Sequence, residues 1–210
     1  GMMKQLLIIL LLLGTFSQVS AQWIDNDKTE AAIERGIRAT YNMKFSSAER
    51  EFAAVIRAYP NHPAGYFLDA MVDWWRILVN RQTTKHDEAF IEKLDEVIDL
   101  CDDRLDDNEN DVAALFFKGG SLGFQGRLYA MRKDWVHTAG AGKNALPVVY
   151  EAEKLAPANA DIRLGTGIYN YYASVLPRKY SALKPLMFFL PKGNKNRGIR
   201  YLKKAAKEGK

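Results

Sequence analysis

The fold class is decided by residues 47–60, which read SAEREFAAVIRAYP. Ala48, Phe52 and Val55 follow one another at the i, i+4, i+7 spacing that places side chains on one face of an α-helix. Pro60 predicts the end of that helix, because proline lacks the backbone N–H that a helix interior needs. The segment is therefore predicted to be an amphipathic helix.

The same pattern returns in residues 144–157, where Ala145, Val149 and Ala152 precede Pro157 at the same spacing. In both segments an asparagine follows the proline within two residues. Recurrence of this kind indicates an internal repeat, and repeats of one or two helices stack on their neighbours to bury a shared core.

Small residues recur in the helices that would pair with these segments. Gly36 and Ala70 are 34 residues apart, and the next two small positions follow at spacings of 49 and 48 residues. An aromatic residue stands five positions after each one. The four combinations are Gly36 with Tyr41, Ala70 with Trp75, Gly119 with Phe124, and Gly167 with Tyr172. Small residues at such positions allow two helices to cross closely.

This combination resembles the tetratricopeptide repeat, and the resemblance covers most of residues 28–208. It implies an all-α fold, a right-handed α–α superhelix of about four helix pairs. The expected pairs are 28–43 with 46–59, 63–79 with 86–105, 111–135 with 143–156, and 160–175 with 195–208. The length beyond one period is expected in longer helices and in loops around 80–86 and 128–142.

The N-terminal residues are typical of a secretory signal peptide. Gly1 is typical of a residue left by an expression vector. Lys4 then precedes an unbroken apolar run at residues 6–13, and small residues lead up to Ala21. This pattern predicts cleavage after Ala21. A retained N-terminal anchor is the alternative, although the apolar run is short for a membrane span.

Residues 1–21 are thus the expected signal peptide, and residues 22–210 the expected repeat domain. The protein is expected to be exported to the periplasm or the outer membrane of a bacterium. Cys101 is the only cysteine, so no internal disulfide can form, and a buried structural thiol is expected there.

Charge is distributed unevenly in a chain whose formal net charge is +5. Residues 87–111 contain 12 acidic and 2 basic residues, whereas residues 178–210 contain 11 basic residues and one acidic residue. Solvated helix faces are one explanation. The other is a dipolar molecule whose C-terminal end meets an acidic partner or anionic lipid. No nucleic-acid partner is expected.

An insert at residues 174–194 interrupts the fourth pair. Within residues 182–192, five apolar residues (LMFFL) lie between Pro185 and Pro191. They are too few to span a bilayer. Three interpretations stay open: a buried plug, an interfacial loop aided by nearby lysines, and a contact between copies of the chain.

A block around this insert resembles the eukaryotic tetratricopeptide repeat protein 39 family, which includes outer-mitochondrial-membrane and inclusion-body-clearance proteins. The residues that carry the resemblance are Gly165-x-Gly167, Ser174-x-Leu176-Pro177-x-Lys179 and Gly193-Asn194-Lys195-x-x-Gly198-Ile199-x-x-Leu202. The block departs from the family at Asn194 and Lys195, where an acidic residue and arginine are usual. The resemblance implies a repeat variant with a structured insert and does not carry over a function.

Residue types that carry catalysis or bind metals do not form a known motif. The three histidines, His62, His86 and His137, lack a ligand at the spacing of HExxH or CxxC motifs. Gly119-Gly120 is expected at a helix crossing, and residues 140–142 are expected in a loop. No enzyme activity, cofactor or metal site is therefore predicted.

Asp69 and Asp73 are four residues apart and share one helix face. Paired carboxylates can perform acid–base chemistry. Here they are expected instead to pair with arginine or lysine side chains of a neighbouring helix.

Aromatic residues give the strongest prediction of a binding site, because the first helices of such repeats line the concave surface. Arginine beside aromatic rings suits a peptide groove. The candidate groove residues are Met71, Trp74, Arg76, Lys118, Arg127 and Tyr171. The alternative is that most of the rings belong to the core, and Trp75 and Tyr172 are the expected core members.

The leading hypothesis is an exported scaffold whose concave face holds a peptide or protein partner. The alternative is a membrane- or envelope-associated module that uses residues 182–192 and the basic C-terminal end. Association of copies of the chain through that end is a further expectation, because repeat arrays usually cover their last helix.

Overall fold

The computed structural model describes residues 23–186 and 193–208, which form eight α-helices and no strand. The helices are α1 (Asp27–Tyr41), α2 (Phe45–Ala58), α3 (Pro63–Val79), α4 (Asp87–Asp107), α5 (Val112–Met131), α6 (Trp135–Leu155), α7 (Ala160–Lys179) and α8 (Lys195–Glu208). A short 3-10 helix, Ser181–Leu183, lies between the last two. The predicted all-α class is confirmed over the described residues.

Each helix packs against the next one along the chain, which gives the pairs α1/α2, α3/α4, α5/α6 and α7/α8. The first helices of successive pairs also contact one another: α1 touches α3, α3 touches α5, and α5 touches α7. The first helices therefore form one continuous layer, and each is backed by the second helix of its own pair.

The turns inside the first and third pairs are built in the same way. Met43 and Lys133 occupy equivalent places in them, with φ angles of 56° and 61°. In each turn this residue donates its N–H to the carbonyl three residues earlier, and the next residue donates to the carbonyl five residues earlier, over 2.9–3.1 Å. This is the Schellman motif that satisfies the last carbonyls of a helix.

The three connections between pairs also repeat one pattern. Tyr59, Asn108 and Ala156 each donate their N–H to the carbonyl four residues earlier, over 2.9–3.0 Å. The residue three positions later donates back to each of their carbonyls and then caps the next helix with its side chain. These capping residues are His62, Asp111 and Asn159. Recurrence of one hydrogen-bond pattern supports the internal repeat independently of composition.

The predicted crossing positions are buried and face the second helix of their own pair. A Cβ atom at Gly36 would lie 2.5 Å from the Phe52 ring, so that crossing excludes a side chain. Gly167 is almost as tight, because a Cβ atom there would lie 3.0 Å from the Cβ atom of Tyr201. Gly119 has ordinary clearance of 3.4 Å to Val149, so a small side chain would fit there.

Three predicted helix boundaries are wrong. Helix α5 ends at Met131 rather than at 135, and α6 begins at Trp135 rather than at 143, so most of residues 128–142 is helical. Gly140 and Gly142 lie inside α6, where buried Ala141 packs opposite Gly126 of α5. Helix α7 also continues past the expected end at 175, through Pro177 to Lys179. Packing between neighbouring helices outweighs the low helix propensity of glycine and proline at these positions.

The described part of the insert packs against the repeat. Leu183 of the 3-10 helix is 2% exposed, and that helix contacts α6 and α7. The chain returns at Gly193, where a Cβ atom would lie 2.7 Å from the backbone of α7. Most of the apolar run and the expected signal peptide lie outside the described residues. Within the described ranges, none of the helices is both long and apolar enough to cross a bilayer.

Candidate partner-binding face

Trp74 lies in the core, so its expected place in an open groove is wrong. The side chain is 4% exposed. Its ring centroid is 5.4 Å from that of Phe90 on α4 and 5.5 Å from that of Phe124 on α5. The guanidinium of Arg127 covers the ring at 5.0 Å. Side chains of two other helices therefore contribute to its burial.

The two other candidates on α3 also make internal contacts. Met71 is half-buried against the same apolar cluster as Trp74. Arg76 donates to Glu49 at 2.6 Å and to Asp73 at 2.8 Å, and its side chain is 20% exposed. Neither residue is free to bind a partner without giving up a contact within the fold.

An ion network connects α2, α3 and α4 beside these residues. The Lys93 ammonium lies 2.8 Å from Asp73 and 2.9 Å from Asp69, which confirms that the two aspartates pair across helices. Burial lowers the pKa of Lys93, but its hydrogen bonds to the two carboxylates outweigh that effect and hold the pKa above its ordinary value. Asp73 is 4% exposed, so the network stabilises a charge that water does not reach.

The remaining candidates differ in how open they are. Lys118 forms an ion pair with Asp102 of α4 and is therefore engaged within the protein. Arg127 is exposed although it covers Trp74. Tyr171 is half-buried, and its ring meets that of Tyr172 edge-on at 5.5 Å. Tyr172 is 44% exposed, so the expectation that it belongs to the core is wrong.

The open part of the first-helix layer lies on α5 and α7. Each helix presents four residues at i, i+4, i+7 and i+11, the spacing of one helix face. These residues, which we name the α5–α7 face, are Phe116, Gly120, Gly123 and Arg127 on α5, and Asp161, Gly165, Ile168 and Tyr172 on α7. Ile168 and Tyr172 are 42% and 44% exposed and are four residues apart.

Two glycines of this face have no packing reason to be glycine. Among the described residues, a Cβ atom at Gly123 or Gly165 would meet no heavy atom within 4 Å beyond the adjacent helix backbone. Glycine inside a helix costs about 1 kcal/mol relative to alanine. Gly120 differs, because a Cβ atom there would lie 3.4 Å from the Phe67 ring of α3. The open glycines leave helix backbone accessible on the same helix faces as Arg127 on α5 and Ile168 and Tyr172 on α7.

One end of the α5–α7 face is occupied by the protein's own N-terminal segment. Trp23 lies in a non-helical stretch before α1. Its indole N–H donates to Asp161 at 3.2 Å, and its ring centroid is 6.2 Å from that of Phe116. It also meets the Phe117 ring edge-on at 5.3 Å. Trp23 contacts Phe116 and Asp161, which are the first residues of the α5–α7 face on each helix. The two rows of residues therefore begin at the same place on the surface.

Other polar groups act within the fold. His62 caps α3 by accepting the N–H of Ala64 at 3.2 Å. Burial, followed by the positive charge of Arg104, lowers the pKa of His62 to about 4. Cys101 is buried, as expected, and burial raises the pKa of its thiol to about 12. No three His, Cys, Asp or Glu side chains of the described ranges are grouped to hold a metal ion.

A cleft of about 470 Å³ lies between α4 and the end of α5. Arg132 crosses it and pairs with Asp87 at 2.6 Å, and it also donates to the carbonyls of Arg81 and Thr83. Arg132 therefore fixes the loop between α3 and α4 against α5. We assign this cleft a structural role.

Neither a protein-family model, nor a curated protein, nor a solved structure matches this chain.

Proposed function

We propose that this protein is an exported scaffold of the tetratricopeptide type that binds a peptide segment of a partner protein on the α5–α7 face. In this proposal the four pairs form a right-handed superhelix with the first-helix layer on its concave side. Binding rather than catalysis is the role of the molecule.

Trp23 is the observation that carries the proposal. A non-helical segment of the protein already lies on this face, with an aromatic ring against Phe116 and an indole N–H bonded to Asp161. The face therefore has the chemistry to hold a peptide through one ring contact and one hydrogen bond. The open stretch that follows offers the same two kinds of contact to a second segment.

The open stretch indicates the chemistry of that segment. Ile168 and Tyr172 provide exposed apolar area, and aromatic side chains give such area at low entropic cost. Arg127 is held over Trp74, so its guanidinium is positioned before a ligand arrives. A segment with apolar side chains next to a carboxylate fits this arrangement. Gly123 and Gly165 let its backbone approach closely.

Export follows from the N-terminal pattern, and Trp23 is compatible with it. Cleavage after Ala21 would leave Trp23 in the mature protein as its second residue. The contact with Phe116 and Asp161 would then survive processing.

Crosslinking in the native envelope, followed by purification and mass spectrometry, tests the function. We expect wild type to capture a discrete partner. The double variant Gly123→Gln, Gly165→Gln should lose it, because the new side chains fill the open surface, and Ile168→Ser with Tyr172→Ser should lose it too.

Gly140→Gln is the matched control. Gly140 is also exposed inside a helix with no atom near its Cβ position, but it lies on α6 and outside the face. Equal capture by wild type and both double variants, all of them folded, would contradict the proposal. Loss of capture with Gly140→Gln would contradict it equally.

A further inference from the structure

The last helix presents a basic stripe on its exposed side. Arg200, Lys203, Lys204 and Lys207 are exposed and stand at i, i+3, i+4 and i+7, so they share one face of α8. The opposite face packs on α7 through Gly198, Tyr201 and Leu202, which lie beside Gly167. The stripe is thus directed away from the repeat.

Arg197, on the same helix, is a cation with a structural role. Arg197 pairs with Glu153 at 2.7 Å and also contacts the Tyr201 hydroxyl. It connects α8 to α6 and is partly buried. The stripe residues instead lie on the exposed side. Stabilisation of the helix dipole accounts for basic residues in the last turn only, and Arg200 and Lys203 precede that turn.

We propose that the α8 stripe binds an anionic lipid surface and holds the scaffold against a membrane. Three of its four members are lysine, a residue depleted in protein–protein interfaces and suited to a diffuse layer of phosphates. Among the described residues that line the stripe, Ile199 is the apolar one, and it is half-buried. Binding through the stripe itself is electrostatic.

The competing occupant is the acidic face of α4 in a second copy. Glu92, Asp95, Glu96 and Asp99 are exposed and have the same i, i+3, i+4, i+7 spacing as the stripe. Each lysine near an anionic bilayer strengthens binding about fivefold. An exposed ion pair between proteins typically contributes less, and association of two proteins also costs translational and rotational freedom. The lipid surface is therefore favoured.

Vesicle co-sedimentation tests the proposal with protein purified from the envelope fraction after expression with its own N-terminal segment. The vesicles contain equal parts of phosphatidylglycerol and phosphatidylcholine, and vesicles of phosphatidylcholine alone are the reference. We expect binding to the anionic vesicles only, weakened by salt. Neutralising Arg200, Lys203 and Lys207 to glutamine should weaken binding about a hundredfold.

The matched control neutralises Arg81, Lys85 and Lys143, which are exposed and lie on other helices and turns. This control variant loses three positive charges, as the stripe variant does. Because those charges lie outside the stripe, it should bind within about twofold of wild type. The single variants Lys203→Gln and Lys207→Gln keep the test decisive if the triple variant does not fold. The double variant Lys203→Arg, Lys207→Arg keeps both positive charges, so it should bind the anionic vesicles as strongly as wild type does.

Three outcomes would overturn the proposal. Wild type could fail to bind anionic vesicles, or the stripe variant and the control could lose the same affinity. Salt-sensitive self-association that the stripe variant abolishes, without vesicle binding, would assign the stripe to the acidic face of a second copy.

Discussion

Helix α3 and the α5–α7 face occupy equivalent places in the repeat, yet one is filled and the other is open. Trp74 and Gly123 each stand four residues after a crossing position, Ala70 and Gly119. Trp74 is buried by rings of two other helices and by Arg127. Gly123 is exposed with space above its Cα atom.

The difference shows that register determines where a side chain points, whereas the neighbouring helix determines whether it is covered. Helix α5 places Phe124 and Arg127 against α3, and those side chains close the surface there. Helix α7 presents Ile168 and Tyr172 without comparable cover among the described residues. Equivalent positions in a repeat can therefore be buried in one pair and exposed in another.

The largest expected effect contrasts the two regions directly. Trp74→Ala should lower the free energy of unfolding by about 3–5 kcal/mol, because it leaves a cavity among three helices. Tyr172→Ala should lower it by less than about 1 kcal/mol, because nearly half of that side chain already meets water. Urea denaturation of both variants measures the difference. Equal losses would show that the two regions are not distinct.

The ion network offers a second way to test the filled region. Lys93→Ala removes the partner of Asp73 on α4 and leaves Arg76 in place, so we expect a loss of about 2 kcal/mol. Adding Asp73→Asn should recover part of that loss, since the buried carboxylate that has lost one of its two cationic partners is then neutral. If the double variant is less stable by the full sum of the single effects, the two residues do not act together.

Acid should weaken the filled region in a way that depends on His62. Its folded pKa of about 4 lies below the unfolded value of about 6.5, so the folded state binds fewer protons between these values. The contribution of uncharged His62 to the free energy of unfolding is complete above pH 6.5. It is lost as the pH falls from 6.5 towards 4. Protonation also removes the acceptor that caps α3.

Thermal unfolding across this pH range measures the effect. The variant His62→Asn keeps a capping acceptor and cannot titrate, so its stability should fall less steeply than that of wild type between pH 6.5 and 4. Parallel curves for the two proteins would remove His62 from the explanation.

The smallest expected effect is a gain. Gly123→Ala and Gly165→Ala should each raise the free energy of unfolding by about 1 kcal/mol, because helix propensity improves and nothing clashes. Gly140→Ala should give the same gain on α6. A loss of stability at Gly123 or Gly165 would mean that the face is packed rather than open.

Sequence patterns predicted much of the fold because the ends and crossing positions of the helices depend on residues that are close together in the chain. A proline follows the second helix of the first and third pairs, and a small crossing position recurs in all four first helices, so four helix pairs could be recognised. The start of α6 differs from the predicted one because Gly140 and Gly142 lower helix propensity in its first half. Asp134 was an available signal, since it caps α6 by accepting the N–H of His137.

The candidate site was less predictable, because burial depends on residues far apart in the chain. Nothing near Trp74 in sequence indicates that Phe124 and Arg127 will cover it. The contact of Trp23 with Asp161 joins residues 138 positions apart in the chain. Gly165 contributes to the family resemblance, but the sequence does not show that the space above it is open. A glycine inside a predicted helix is the local signal of an accessible backbone there.

Site-specific photocrosslinking in the native envelope tests the central claim most directly. A photoreactive residue replaces Tyr172 on the α5–α7 face or, as the control, Val136 on α6, which is 68% exposed. We predict that the probe at Tyr172 captures a discrete protein partner and the probe at Val136 does not. Capture from Val136 alone, or equal capture from both positions, would contradict the account.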